Sequence, residues 1–290
     1  MNTPVTAAGT VRTVLQPALA DLADVPATSR WVHSGQVRIH VLDYGGDGVP
    51  LVILPGITSP AITMDFVARA LRGLVRPVVV DMRGRGLSDS GESYVLDRYV
   101  DDVVAVVNGL GLERPVLLGH SMGARVAAAA SARGMELRGA VLVDPPMSGP
   151  GRGPYPVTRA AFRAQLDAAA GGITADDVAA LWPDWPRREQ ELRARWLSSC
   201  DVTAVEETHH GFEHEDFFDY WPKVAAPTAL MYGEDSPMVP AAGVEEAATA
   251  NPSARLIGVP GAGHMVFWDA PELAMTVVRE VLTDWIRAGE

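Results

Sequence analysis

The sequence predicts an α/β fold: a mostly parallel central sheet flanked by helices, with a helical cap inserted after the sixth strand. Three observations carry this expectation. From Arg30 onward short apolar runs alternate with helix-period segments, the alternation breaks after Asp144, and it resumes near Thr228. A hairpin followed by repeated strand-helix-strand units builds a parallel sheet covered on both faces. In such a sheet, ligands bind beyond the carboxyl ends of the strands.

Taken in order, residues 1–29 form an extension ahead of the first firm strand. Val11, Val14, Leu15, Leu19 and Leu22 recur at helical spacing, so a short amphipathic helix is expected within an otherwise loosely packed segment. Runs at 37–42, 51–54, 77–80, 116–118 and 140–143 read as strands, and 64–74, 99–110 and 122–133 read as helices. Strands at 228–232 and 255–259 and a closing helix at 271–286 complete the pattern. The core is therefore expected over 30–144 and 223–290, with the cap over 145–222. That insertion is rich in Pro, Arg and Trp and holds Trp182, Trp185, Trp196 and Trp221, which suit both an aromatic lid and the small core that a helical subdomain needs.

The 290 residues can bury one large core. With 48% hydrophobic and 21% charged residues the composition is that of a globular protein, not a fibrous or disordered one. A net charge of −12 argues against nucleic acid and anionic membrane surfaces as partners, since both attract basic patches. An anionic substrate must then be met by a local basic pocket, and a homo-oligomer is compatible with this composition. Cys200 is the single cysteine, so neither an intramolecular disulfide nor a thiolate metal cluster is expected. There is no basic-then-apolar leader, and no run approaches the ~18 apolar residues of a membrane span. A cytoplasmic protein is the expectation.

Gly119-His120-Ser121-Met122-Gly123 follows the apolar run 116–118 and opens an alanine-rich helix. A strand-turn-helix setting of this kind holds a serine on a strained elbow, with small neighbours relieving the crowding. The helix N-terminus there favours developing negative charge. The plainer alternative is a glycine-bounded helix start capped by a serine.

A serine hydroxyl needs a base within hydrogen-bond reach and a group that orients the base. Of seven histidines, His33 and His40 come too early for the Ser, Asp, His order of this fold, and His120 is directed away from its neighbour. His264, in the glycine-rich Pro260-Gly261-Ala262-Gly263-His264 loop before the last helix, is the expected base. Two acids compete. Asp144, at the strand end before the cap, is the preferred orienter. Asp235 is the alternative, in the segment where most relatives carry the acid, although alignment on Pro237-Met238-Val239-Pro240 puts Ser236 at that position. The oxyanion hole is expected from the N–H groups of Met122 and of Ile57, in Leu54-Pro55-Gly56-Ile57-Thr58. The cap residues His209, His210 and His214, with Glu213, Glu215 and Asp216, lack a second ligand element and read as a polar lid face, so no metal and no cofactor is expected.

The segments 83–88 and 119–125 resemble the α/β-hydrolase superfamily at large, and 54–63 and 262–265 extend the resemblance to one group within it. Three further segments, Leu142-Val-Asp-Pro-Pro-Met-Ser-Gly-Pro-Gly-Arg152, Tyr155-Pro156 and Leu192-Arg-Ala-Arg-Trp196, look specific to the N-formylmaleamate deformylases of aerobic nicotinate degradation. The resemblance runs from about Val37 to the C-terminus, and a more distant one is to 2-(acetamidomethylene)succinate hydrolase. It implies an aspartate before the cap as catalytic acid, which falls on Asp144, and a small-molecule carboxylate as substrate. A planar guanidinium suits a carboxylate, so Arg152 and Arg193 in the cap are the candidate anchors, with Tyr155 and Trp196 packing nearby.

The reaction implied is cleavage of a C–N bond, N-formylmaleamate to maleamate and formate through a formyl-serine. The same triad also serves carboxylesterases and lactonases, because fold and triad do not fix substrate. A catalytically silent ligand receptor is the reading from another class; turnover with any substrate separates it from the other two.

Overall fold

The computed structural model describes residues 12–225 and 227–288. A single eight-stranded sheet forms its centre, in the order β1-β2-β4-β3-β5-β6-β7-β8. The hairpin is β1 (Thr28–Ser34) with β2 (Val37–Asp43), and β2 runs antiparallel to β4 (Arg76–Val80) as well. The remaining strands, β3 (Pro50–Leu54), β5 (Val116–His120), β6 (Gly139–Val143), β7 (Thr228–Gly233) and β8 (Arg255–Val259), pair in parallel. Strands buried on both faces carry no polar alternation. Val116-Leu-Leu-Gly-His120 and Gly139-Ala-Val-Leu-Val143 follow that rule and are buried throughout.

Because side chains alternate across a strand, β3 feeds two separate cores. Val52 and Leu54 face α3 (Leu96–Gly109) and α4 (Met122–Ala132), while Leu51 and Ile53 face α2 (Asp65–Leu71) and α11 (Pro271–Arg287). In α3 the residues Tyr99, Val100, Val103, Val106 and Val107 are buried at the three- and four-residue spacing that makes one helical face apolar. Two more helices, α9 (Ala241–Ala250) and α10 (Val266–Asp269), flank the last strand.

The chain between β6 and β7 carries four helices, α5 (Arg159–Gly171), α6 (Ala175–Leu181), α7 (Arg187–Trp196) and α8 (Val202–His214). Side chains start three of them: Thr158 caps α5, Thr174 and Asp177 form a reciprocal capping box on α6, and Asp201 caps α8. No described helix is long and apolar enough to cross a membrane.

The N-terminal segment departs from expectation. Val11 lies outside the described residues, and the helix is short, α1 (Gln16–Asp21), with β1 starting at Thr28. Its described residues are tied to core and cap by polar contacts. The Asp21 carboxylate accepts hydrogen bonds from Arg195 Nε (2.8 Å), Arg195 Nη2 (2.7 Å) and Trp196 Nε1 (3.0 Å), tying the segment to α7. Arg12 donates to the carbonyls of Gly86, Ser88 and Ser199, bridging core and cap. Apolar spacing shows the helix but says nothing of these polar ends, which find their partners far along the chain.

Candidate active site

The chain turns sharply at Ser121, between β5 and α4, with φ 55° and ψ −116°. A non-glycine residue held in this region costs about 1–3 kcal/mol and persists only where its surroundings enforce it. Here the enforcement is steric. A Cβ on Gly119 would stand 2.1 Å from the Gly123 carbonyl oxygen, and one on Gly123 would stand 1.9 Å from that of Leu54. Only glycines let β5, α4 and β3 approach this closely, and the turn between them lifts the serine hydroxyl to the carboxyl edge of the sheet. Asp144, just past β6, also has positive φ, at 50°, and its N–H donates to the Met231 carbonyl (2.8 Å).

These two edges meet the loop after β8. His264 Nε2 lies 3.0 Å from Ser121 Oγ, and His264 Nδ1 lies 2.7 Å from Asp144 Oδ2. The fully buried Asp144 carboxylate also accepts from Gly233 N–H (3.0 Å, Oδ1) and Ser236 Oγ–H (2.6 Å, Oδ2). With Nδ1–H donated to the carboxylate, the imidazole presents its Nε2 lone pair to the serine, as a base must. The alternative acid is corrected by this geometry: Asp235 is exposed, its N–H bonds the Ala262 carbonyl, and the carboxylate beside His264 is that of Asp144. Ser236, at the position where alignment expects an acid, instead supplies a donor to Asp144.

Met122 opens α4, so its N–H is one of the first-turn donors that the helix itself cannot use. Gly56 brings the loop carrying Ile57 against the nucleophile, its Cβ direction pointing to within 3.5 Å of Ser121 Cβ. Behind this loop stands Arg85, which sequence reasoning missed. Its fully buried guanidinium donates to the Ile57 carbonyl (3.0 Å), the Tyr99 hydroxyl (2.5 Å) and the Thr208 hydroxyl (3.1 Å), fixing the loop from below. His120, set aside as the base in the sequence, has another role. Its Nε2 lies 2.9 Å from the His264 carbonyl, and since a carbonyl only accepts, that nitrogen carries the proton. Burial, reinforced by the nearby His264, pushes the His120 imidazole down to about 3, so it stays neutral and ties the catalytic loop to the elbow.

Ser121 opens into a cavity of about 320 Å³ between core and cap, at the lower end of the usual range for small-ligand sites. The core contributes Gly56 to Ser59, the elbow and His264, and the cap contributes Tyr155, Phe162, Gln165, Trp182, Trp185 and Arg193. Burial, followed by the charge of Asp144, raises the Tyr155 phenol well above its ordinary value, with a hydrogen bond to Ser121 acting the other way. Tyr155 therefore meets the nucleophile as a neutral hydroxyl.

Arg193 is buried in the cavity wall, donating through Nη1 to the Thr58 carbonyl (2.6 Å) and hydroxyl (3.0 Å) and through Nη2 to Gln165 Oε1 (3.3 Å). Its Nε–H has no hydrogen-bond partner, and among the described residues no carboxylate pairs with it. Burial lowers its pKa, the expected response of a cation without a counter-charge. The Trp185 indole N–H, also in this wall, is a second buried donor without a partner.

Two other expected contacts are not in the cavity. Arg152 lines an adjoining groove of about 280 Å³, where it pairs with Asp216 (2.8 Å) and with both Glu246 oxygens (2.7 Å each) over the Phe218 ring. Its charge is already satisfied. Trp196 is buried in the core under α7 with its N–H committed to Asp21. Among the cap histidines, His209 is buried and bonds the Val157 carbonyl, whereas His210 and His214 stack at the surface. No group of three or more metal-ligating side chains is assembled among the described residues.

Comparisons with known proteins identify the family. The model of the alpha/beta hydrolase family matches residues 51–275. N-formylmaleamate deformylase from Pseudomonas putida is 40% identical over 241 residues, covering 82% of this chain and 90% of that one. 2-(Acetamidomethylene)succinate hydrolase from Mesorhizobium japonicum is 28% identical, covering 89% of this chain and 96% of its own length. Among solved structures, an N-formylmaleamic acid deformylase from Pseudomonas putida S16 superposes with a TM-score of 0.82 at 37% identity, over 87% of this chain and 100% of that one. The chain is a hydrolase and belongs to the alpha/beta hydrolase family.

Proposed function

We propose that this protein is a serine amidohydrolase that removes the formyl group from N-formylmaleamate, releasing maleamate and formate. The observation that carries the substrate class is Arg193: a buried guanidinium in the wall of the serine cavity, with one N–H left without a partner and no carboxylate paired to it among the described residues. Leaving such a cation unpaired is costly, and a substrate carboxylate offsets the cost. The reaction itself follows from the similarity to deformylases across most of the chain.

In the proposed mechanism, Ser121 Oγ attacks the formyl carbon as its proton passes to His264 Nε2. The C=O pair moves onto oxygen, held by the N–H groups of Ile57 and Met122, and Asp144 stabilises the imidazolium. When the oxyanion collapses, the C–N bond breaks and the departing nitrogen takes the proton from His264, giving maleamate. Water, deprotonated by the same imidazole, then attacks the formyl ester and releases formate and Ser121. Arg193, in the cavity wall, binds the substrate carboxylate and so sets its distance to the formyl group. No step requires a metal or an organic cofactor.

The test is a comparison of two rates for the purified protein. Formate should be released from N-formylmaleamate far faster than p-nitrophenyl acetate is cleaved, and the opposite ranking rejects the proposal in favour of a general esterase.

A further inference from the structure

A second, smaller cavity of about 160 Å³ lies within the cap against the first, and Gln165, Trp182 and Arg193 line both. Its other walls are aliphatic, formed by Ala168, Ile173, Val178, Leu181 and Leu197. The one carboxylate at its edge, Asp177, is engaged in the capping box with Thr174. The lip of this chamber is open to solvent at Leu181, which is 64% exposed, and the aliphatic walls behind it leave usable room adjoining the proposed carboxylate anchor.

The three shared residues are not equally fixed. Arg193 and Gln165 bond each other, and Arg193 is tied to Thr58. Trp182 is held by stacking, its ring 4.9 Å from that of Trp185 with 21° between the planes, and Trp185 stacks in turn on Trp268 at 5.3 Å. The Arg193 guanidinium sits 5.8 Å from the Trp182 ring centre. The indole is thus the part of the wall that can be removed without stranding a bonded polar group, and it stands beside the anchor.

We propose that Trp182 is the specificity-determining residue of this site: it partitions the cavity from the chamber, so that the enzyme selects short carboxylates without an alkyl branch next to the carboxyl group. The proposal rests on the reading of Arg193 as the carboxylate anchor. Removing the indole joins the two spaces and gives such a branch an apolar place to go.

Calorimetric titration of maleate and its 2-methyl, 2-ethyl and 2-propyl derivatives tests this without depending on turnover. In the unaltered protein, affinity should stay level or fall along the series. In Trp182→Ala it should rise about threefold to fourfold per added carbon, the factor that burial of one methylene supplies. Trp182→Leu, which keeps an apolar side chain for the fold, should show a smaller rise, and adding Val178→Phe to Trp182→Ala should fill the chamber and abolish it. A rise of equal slope in the unaltered protein, or a flat series in both Trp182 variants, overturns the proposal. Binding of maleate without formate release from N-formylmaleamate would defeat the deformylase reading and leave the partition standing.

Discussion

Replacing Arg193 by Met separates carboxylate recognition from serine chemistry. The side chain reaches Thr58 and Gln165 through its two terminal nitrogens and leaves the buried Nε–H without a partner. If a substrate carboxylate completes this site, truncation removes one partner of a buried charge pair, worth about 2–5 kcal/mol. At 1.36 kcal/mol per decade, kcat/KM for N-formylmaleamate should fall by about 30-fold to several thousand-fold. Hydrolysis of p-nitrophenyl acetate, which has no charge to anchor, should stay within about threefold. The fold should tolerate the change, because relief of a buried unpaired cation offsets the Thr58 carbonyl left without its donor, a loss of about 1–3 kcal/mol. Steady-state kinetics on both substrates, with maleate-induced thermal shifts, decide the matter: maleate should raise the melting temperature of the unaltered protein and not that of the variant. A parallel fall on both substrates, or an unchanged rate with the carboxylate, refutes the reasoning.

Three further expectations come from the same structure. Asp144→Asn should lower kcat by a factor on the order of 10⁴, since the imidazole loses its orienting carboxylate, while Asp235→Asn should stay within about twofold; loss confined to the Asp235 variant would reverse the assignment. Ser236→Ala removes a 2.6 Å charge-assisted bond to Asp144, of a kind worth about 1.5–3 kcal/mol, so kcat should drop by about tenfold with KM unchanged, and a change in KM alone would show the hydroxyl acting on substrate binding. Burial raises Glu189, on α7 beside Arg188 and Asp65, from 4.5 to about 7. The folded chain then holds this proton more tightly than the unfolded chain, so its contribution is full below about pH 4.5 and is lost by pH 7, a change of about 3 kcal/mol. Urea unfolding of Glu189→Gln should show a flatter pH dependence between 5 and 7 and a higher midpoint at pH 8; an unaltered slope places the pH dependence elsewhere.

The elbow was legible because its cause is local. Gly119 and Gly123 are demanded by contacts within the turn and with the neighbouring strand, and that demand leaves a short pattern around Ser121. His264 and Asp144 were legible for a related reason: each ends or follows a strand of recognisable apolar composition, and strand ends on one edge of a parallel sheet converge. Ser236 left a fainter mark, a hydroxyl where alignment expects an acid, whose meaning needs the 2.6 Å distance to Asp144.

The cap yields less to such reading, and the two arginines show why. Arg152 and Arg193 look alike along the chain, each a cation among prolines, tryptophans and other arginines. What separates them is whether an acid from elsewhere arrives, and for Arg152 the acids are 64 and 94 residues away, at Asp216 and Glu246. No periodicity encodes that pairing. The same holds within α7, where Arg193 and Trp196 are three residues apart and share roughly one face, yet Asp21 of the N-terminal segment claims the Trp196 indole while Arg193 turns to the cavity. Core chemistry on this scaffold is thus written in local geometry, whereas selection of the substrate depends on which buried charge the rest of the chain leaves unpaired. A substitution that brought a carboxylate to Arg193 would therefore remove the preference for a charged substrate and leave the triad distances intact.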